Sequence, residues 1–289
     1  EPSTSFRLAA WRRLTKNKGA MAGLILIIIS TLVAIFSYFI APDSSPYANR
    51  IILEIGGEKP GFTQNFLVVK KSQPQTAGFF SQMFFGKPDQ YDFIPITSYY
   101  QTNDSIVAEK FIDEGVAEPT AYGKKNLAAP PVVTKEFLLG TDKYGRDILS
   151  RLVVGTRVSL SVGLITVFIS LTIGIILGAI AGYFGGRADN VIMWLINVIW
   201  SIPTLLLVFA ITLLLGKGFW QVFIAVGLTM WVNVARLVRG QVMVTKELQY
   251  VEAGKVLGFS DFRVITRHIL PNIFGPVMVI AASNFASAI

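Results

Sequence analysis

The chain has 289 residues, 52% hydrophobic and 15% charged, with a formal net charge of +8, one histidine and no cysteine. A soluble domain usually carries about 25% charged residues, so this composition excludes an ordinary soluble globule and points to lipid. The missing cysteine excludes disulfides, thiolate catalysis and cysteine-ligated metal, and the high pI comes without a basic stripe interleaved with aromatics, which argues against a nucleic-acid partner.

Residues 1–19 hold Arg7, Arg12, Arg13, Lys16 and Lys18 against one acid, which predicts a cytoplasmic N-terminal segment. Trp11 reads as an interfacial anchor beside that cluster. The run Ala20–Ala41 is uncharged, and a helix needs roughly 20 apolar residues to cross the hydrocarbon core, so this is the first span. A cleaved signal peptide fits less well, because the run is too long and Phe39-Ile40-Ala41-Pro42 is a poor cleavage site. The sequence opens at Glu1 and stops at Ile289 inside an apolar stretch, so both ends read as trimmed and the C-terminal end as incomplete.

Residues 42–155 fall outside by alternation. Residues 43–151 carry twelve Lys/Arg against thirteen acids, and the segment reads as an extracytoplasmic loop or small irregular subdomain. Gly56-Gly57, Pro60-Gly61, Pro74, Pro88, Pro95 and Pro130-Pro131 punctuate it and disfavour long helices. Phe62–Val69 and Tyr91–Tyr100 have strand-like composition. Phe79-Phe80 and Met83-Phe84-Phe85 form an apolar cluster suited either to the membrane interface or to covering a pore mouth. The segment is either a docking surface for a substrate-binding protein or an insertion without a partner.

Residues 156–289 read as a helical membrane core. Uncharged runs at Val158–Gly186, Asn190–Gly216 and Gly218–Ala235, with a further one from Ile273, join Ala20–Ala41 to make four complete spans and part of a fifth. The Gly185–Asp189 turn then lies inside, Lys217 outside and the basic segment 236–272 inside. Ser170, Gly174, Gly178 and Gly182 form a ladder of small side chains for close helix packing, within the chain or against a partner. Pro203 predicts a kink. These four spans hold no Asp, Glu, Lys, Arg or His, which argues against a secondary transporter and against acid–base catalysis. No phosphate-binding G-x-x-x-x-G-K-[ST] loop occurs. If the chain does transport work, the energy must arrive through a contact with another protein.

Segment 236–272 is the candidate receiver. Lys246–Leu257 reads as a short helix with Leu248, Tyr250, Val251, Ala253 and Leu257 on its apolar side. Gly258 suits a left-handed cap. Ser260 suits the N-cap of a second short helix carrying Phe262, Ile265 and Ile269, which Pro271 closes.

Glu252-Ala253-Gly254, Gly258 and Leu270-Pro271 resemble the E-A-A-x3-G-x9-I-x-L-P loop of ABC-importer permeases, with Gly254 replacing the second alanine and His268 standing at the isoleucine. Arg267-His268-Ile269-Leu270-Pro271-Asn272 is similar to the variant in oligopeptide/dipeptide permeases. Leu139-Gly140-Thr141-Asp142, Gly145-Arg146-Asp147 and Ser150-Arg151 resemble the L-G-T-D-x-x-G-R-D-x-x-S-R signature of the same family. Gly182-Tyr183, Gly185-Gly186, Asp189 and Ile202-Pro203 also match its pattern. Asp142, Arg146, Asp147 and Arg151 are expected to pair with one another and cap the second span, with no chemistry there.

The resemblance implies the C-type permease subunit of an oligopeptide/dipeptide/nickel importer in a bacterial inner membrane. The expected fold is an all-α bundle of five to six transmembrane helices, with an extracytoplasmic insertion between helices 1 and 2. It implies a coupling loop over 239–272, with Glu252, Ala253, Gly254, Gly258, Leu270 and Pro271 as the ATPase-coupling residues. Implied partners are a sister permease in a heterodimer, two ATPase subunits, an extracytoplasmic substrate-binding protein and the lipid membrane. No cofactor, metal or catalytic residue is expected. A nickel or other small-solute importer remains the alternative, with an ion-coupled transporter or channel and a membrane scaffold ranked below it.

Overall fold

The computed structural model describes residues 6–72, 77–113, 116–216 and 218–289, with only the backbone of 6–10 and 219. Pro74, Lys217 and the side chain of Arg7 lie outside the described residues. The chain divides into two compact units, Glu1–Val158 and Ser159–Ile289.

The first unit opens with α1 (Phe6–Lys16) and α2 (Lys18–Ile35), separated by Asn17. The Asn17 side chain accepts a hydrogen bond from the Ala20 N–H at 3.1 Å, satisfying one of the orphan donors at the start of α2. Almost the whole surface of α2 is exposed and apolar. The helix breaks at Phe36 and resumes as α3 (Ser37–Ile40).

Beyond α3 the expected irregular subdomain is instead an antiparallel five-stranded sheet, so an all-α class does not hold for this chain. Its strands are β1 (Phe62–Lys70), β2 (Tyr91–Gln101), β3 (Ser105–Asp113), β4 (Val116–Gly123) and β5 (Leu127–Phe137), ordered β4-β3-β2-β1-β5. β1 and β2 lie where the sequence predicts strands. A short helix, α4 (Phe79–Phe85), falls between them. β4 and β5 carry weak signals because they are the two edges: β4 is mostly exposed, and β5 contains Pro130-Pro131. The β1–β5 register steps from Leu67↔Val132 to Val69↔Leu127, so residues 128–131 fall in an irregular stretch where missing N–H donors are tolerated. Because side chains alternate across the sheet, Leu67, Ile96, Ile106 and Leu127 form one core, while Phe66, Phe137, Ile52 and Ile55 form another.

The glycine-rich signature joins this sheet to the next helix. Gly140 (φ 75°) and Gly145 (φ 69°) both hold left-handed backbone. A Cβ on Gly145 would sit 1.6 Å from the Ile52 carbonyl oxygen, so no other residue fits. The expected pairing is observed for Asp142 with Arg146 and Arg151, while Asp147 takes the capping role. Asp142 accepts from the Arg146 Nε at 2.7 Å and from the Tyr144 N–H at 2.9 Å, with Arg151 3.8 Å away. Burial pushes the Asp142 carboxyl up, but the bonds from Arg146 and the Tyr144 N–H outweigh it and hold it below the usual carboxylate range. Asp147 caps the next helix by accepting from the Ser150 N–H at 3.0 Å and from the Ser150 hydroxyl. That hydroxyl accepts in turn from the Asp43 N–H at 2.8 Å.

Beside this joint lies a cavity of about 240 Å³ lined by Asp43, Arg50, Lys135, Phe137 and Asp147, among others. Arg50 pairs with Asp89 and, at 3.4 Å, with Asp43. The Lys135 ammonium instead sits 3.6 Å from the centre of the Phe93 ring. Burial and then the neighbouring Arg50 push Lys135 down to about 8.

The second unit continues along α5 (Ile148–Phe184). It then runs through α6 (Gly186–Trp200), α7 (Thr204–Leu215) and α8 (Phe219–Thr245). Among the described residues, three helices are long and apolar enough to cross a membrane: Lys18–Ile35, Ile148–Phe184 and Trp220–Thr245. Two bent pairs raise the number to five if each counts as one span, against the four complete spans and a part read from sequence. The kink expected at Pro203 is a break: α6 and α7 meet at 95°. Proline lacks an N–H and bars the preceding residue from helical backbone, so the chain turns at Ser201–Pro203. α8 runs ten residues past Ala235, so Arg236 and Arg239 lie on a helix that sequence ends before them.

The small-residue ladder of α5 packs against α8. A Cβ on Gly174 would lie 2.5 Å from the Val234 Cβ, one on Gly178 2.6 Å from the Ala235 carbonyl oxygen, and one on Gly182 2.7 Å from the Arg239 carbonyl oxygen. The packing is therefore within the chain, backbone against backbone.

Two predictions follow from these contacts. Gly178→Leu has no room beside Ala235 and Val238, and overpacking costs about 1–3 kcal/mol or more. The yield of monodisperse protein in detergent should fall sharply, whereas Gly155→Leu, where open space surrounds the glycine, should purify normally. For Lys135, the folded state releases its proton near pH 8 while the unfolded chain holds it to about 10.4. The unfolded chain then binds more protons, so stability should rise with pH between those values. Lys135→Met should raise the melting temperature at pH 7 and flatten that rise, as read by thermal unfolding at stepped pH.

Candidate coupling site

After α8 the chain turns at Lys246–Leu248 and forms α9 (Gln249–Val256). The helix begins three residues later than sequence predicts, because Leu248 is extended (φ −77°, ψ 140°). α9 ends as its glycine requires. The Gly258 N–H donates to the Lys255 carbonyl at 2.9 Å and the Phe259 N–H to the Gly254 carbonyl at 3.1 Å, with Gly258 at φ 79°. This pair of crossed bonds is the Schellman end, which satisfies carbonyls the helix leaves open. The left-handed cap predicted at Gly258 is present.

The departure at Gly254 has a packing cause. Gly254 is buried, and a methyl group there would lie 3.3 Å from the Phe259 ring. The contact is tight, and an alanine there would need the ring to give by a few tenths of an ångström. On its other side Phe259 stacks against His268, with centroids 5.7 Å apart and planes at 17°, so the sole histidine serves packing.

A second short helix, α10 (Asp261–Val264), follows Ser260. Ser260 occupies the N-cap position, but its side chain makes no capping hydrogen bond. The predicted apolar side also differs. Phe262 is 77% exposed, while Val264 and Ile269 are fully buried, since a wider π-turn over Ile265–Ile269 shifts the phase of the helix. The Leu270 N–H reaches back to the Ile265 carbonyl at 2.9 Å. Pro271 then lies in a turn before α11 (Phe274–Ala288), which leaves at 74° to the α10–π segment.

The loop sits on a core shared by several helices. Val251 of α9, Val264 of α10, Ile269 and Ile273 are buried together with Tyr183 of α5, with Val234, Val238 and Val242 of α8, and with Val277 of α11. The Tyr183 hydroxyl donates to Asp261 at 2.6 Å, and Lys255 lies over the same ring at 5.0 Å. Tyr183 thus holds both short helices, a role the sequence reading did not give it although it matched the Gly182-Tyr183 pattern. Below the loop, Asp189 of α6 and Arg239 of α8 form a two-point pair at 2.5 and 2.7 Å. Arg236 donates to Asn197 at 2.9 Å and covers the Trp200 ring at 3.5 Å.

Glu252, Ala253, Gly254 and Gly258 are gathered in one helix and its cap. Glu252, Ala253 and Gly258 are exposed. Leu270 packs on the shared core and Pro271 is exposed at the foot of the loop. Of the apolar residues assigned to the side of the first helix, only Val251 is fully buried. Leu248, Tyr250 and Leu257 are exposed, as is Val256 at 88%. The loop is thus seated by one set of apolar residues and presents another outward, beyond what a solvated turn would carry.

Residues 174–289 match the family model described as binding-protein-dependent transport system inner membrane component. Residues 5–53 match the N-terminal TM domain of oligopeptide transport permease C. The dipeptide transport system permease protein DppC of Lactococcus lactis is 34% identical over 281 residues, 96% of this chain and 70% of that protein. The chain belongs to the permease C family of binding-protein-dependent transporters. The DppC of Bacillus subtilis is 32% identical over 96% of this chain, which spans 63% of that relative's length. The OppC of the same organism is 39% identical over 57% of this chain and 53% of its own length.

In this permease the loop over 249–271 lies wholly inside the inner-membrane-component region, and the five-stranded sheet lies outside both family models. The alignments with the two DppC proteins nevertheless extend over 96% of the chain.

Tyr183→Phe removes a hydrogen bond to a charged partner, worth about 1.5–3 kcal/mol. Hydrogen–deuterium exchange should quicken across α9 and α10 and remain unchanged in the Gly174–Gly182 stretch of α5. Unchanged protection over α10 would show that Tyr183 does not hold the loop.

Proposed function

We propose that this chain is the membrane-spanning permease subunit of an ATP-driven importer of dipeptides or oligopeptides, and that its Gly258 loop receives force from a separate ATPase. The observation that carries the reading is the match to two dipeptide permeases along 96% of the chain. The glycine-capped, outwardly apolar loop supports the coupling role, because it is a rigid knob with surface left to bury. Two ATPase subunits, a sister permease and an extracytoplasmic binding protein complete the assembly. The dipeptide reading leads the oligopeptide one, since the oligopeptide permease of Bacillus subtilis aligns over 57% of the chain. No feature of the chain favours nickel.

The basic N-terminal segment lies in the cytoplasm, residues 42–155 outside, and the loop over 239–272 again in the cytoplasm. Glu252, Ala253 and Gly258 contact the ATPase. Gly254 keeps the helix end compact, and Leu270 with Pro271 returns the chain to the membrane. ATP-driven closure of the ATPase pair then pushes the loop. The α5–α8 pair, locked by the glycine ladder, carries that push to the spans as a rigid body.

The test uses the assembled transporter in proteoliposomes with its binding protein. Addition of a dipeptide should stimulate ATP hydrolysis and drive uptake, whereas a nickel salt should do neither. Gly258→Val forces a branched residue into left-handed backbone, at about 1–2 kcal/mol, so peptide uptake per ATP should fall roughly tenfold with membrane insertion intact. Full coupling in that variant would remove the loop from the mechanism. Nickel-driven stimulation would replace the substrate assignment alone.

A further inference from the structure

The first unit carries a feature that transport by the helices leaves unused. α4 is a seven-residue helix, Phe79–Phe85, reading Phe-Phe-Ser-Gln-Met-Phe-Phe, and its four phenyl rings are all exposed, Phe80 at 74%. A soluble loop of this size would bury such rings or lack them. The rings remain outside although the helix itself is firmly held. Gly86, at φ 84°, packs so closely that a Cβ would meet the Ser44 carbonyl oxygen and the Tyr38 ring, each at 2.9 Å. The Lys87 N–H donates to the Ser44 carbonyl at 2.7 Å. Arg157 donates to the Met83 carbonyl at 2.5 Å, satisfying an acceptor at the C-terminal end of α4, and its guanidinium lies 5.1 Å from the centre of the Phe84 ring. Held inward through Met83 and Gly86, the helix keeps its phenyls outward by construction.

Its position identifies what covers them. Phe79 touches Phe39, with centroids 5.8 Å apart, and Phe39 belongs to the exposed apolar surface that continues from α2 through α3. The uncharged run beginning at Ala20 ends at Ala41. The uncharged run of α5 begins at Val158, the residue after Arg157. Tyr38, Ala41 and Val154 are buried together, so these two limits stand at one level. α4 is clamped at that level, its rings continuous with the exposed apolar side of the first span, while Arg157 and the exposed Lys87 sit beside it where headgroup phosphates would be.

We propose that α4 lies in the membrane interface, with Phe79, Phe80, Phe84 and Phe85 in the acyl–headgroup boundary of the bilayer, and anchors the five-stranded sheet to the lipid surface. The occupant of this apolar face is phospholipid. A pore mouth or a protein partner would require the rings to leave a surface that is continuous with lipid on the α2 side.

The chain contains no cysteine, which makes a spin-label test direct. Phe80→Cys and Phe84→Cys, each labelled with a nitroxide, are compared in the assembled transporter in phosphatidylcholine–phosphatidylglycerol nanodiscs, with partner cysteines replaced. Leu26→Cys on α2 serves as the lipid reference and Glu118→Cys on β4 as the water reference. Collision with oxygen should be high at both α4 positions, and collision with a water-soluble nickel chelate should be severalfold lower than at residue 118. Chelate collision equal to that at residue 118 would place α4 in water and overturn the proposal. Low collision with both reagents would mean that protein covers the rings, which overturns it equally. Peptide uptake does not enter the readout, so the result stands apart from the substrate assignment.

Discussion

Close backbone contact between α5 and α8 is the constraint on which the rest of the second unit depends. Gly174, Gly178 and Gly182 recur every four residues, and each leaves a gap that the backbone or a valine of α8 fills. Within lipid the hydrophobic effect does not drive helices together, so such contact must come from van der Waals packing over a smooth face. It places Val234, Val238 and Val242 against Ala179 and Tyr183, and this apolar floor is where Val251, Val264 and Ile269 of the loop are seated. A side chain on the ladder would separate the helices and dissolve the floor beneath the loop.

The two bent pairs follow from local chemistry acting on that frame. At Ser201–Pro203 the proline ends one helix and starts another, and the chain turns by 95°. At Ile265–Asn272 a π-turn and Pro271 together produce a 74° bend. Both breaks leave carbonyls without a helical donor, and neighbours partly supply them. The Asn272 amide bonds to the His268 carbonyl at 2.6 Å, and the Ser201 hydroxyl adds a second bond to the Asn197 carbonyl at 2.8 Å, which the Ser201 N–H already reaches at 3.0 Å. The Asp189–Arg239 and Asn197–Arg236 contacts fasten the first broken pair to α8. The permease core is thus a set of helical pieces joined at defined bends.

The sheet of the first unit is built on different physics. β1 is buried on both faces, with Phe66, Leu67 and Val68 adjacent in sequence and all inside, and its neighbours β2 and β5 close the two cores. The glycine-rich joint ties this sheet to α5 through main-chain contacts at Gly140 and Gly145, where no side chain fits. The segment 139–151 is therefore an architectural knot, and its charged residues serve to fasten it.

Much of the candidate site was legible in the residues. Gly258, Leu270-Pro271 and the Glu252-Ala253-Gly254 run mark the loop, and the glycine needed for a left-handed cap is visible without coordinates. The apolar face of the loop was legible in part: Val251 and Ile269 are buried and Ile265 packs on the core as read, but a five-residue π-turn leaves Phe262 outward and Val264 inward, a phase change no local pattern encodes. β4 and β5 escaped detection because edge strands lack alternation and β5 carries two prolines, whereas β3 is an interior strand whose alternating Ile106 and Ala108 the sequence reading passed over. Length, charge bias and uncharged runs determined by themselves that this is a membrane protein with a basic loop between spans, since transfer of charge into lipid is prohibitive whatever the fold; the permease reading came from the motifs. Only the tertiary structure decided that the small-residue ladder faces α8, that Pro203 makes a right-angled break, and that Tyr183 clamps the loop. Each depends on a contact between residues far apart in the chain, where mutual shape and not local sequence sets the outcome.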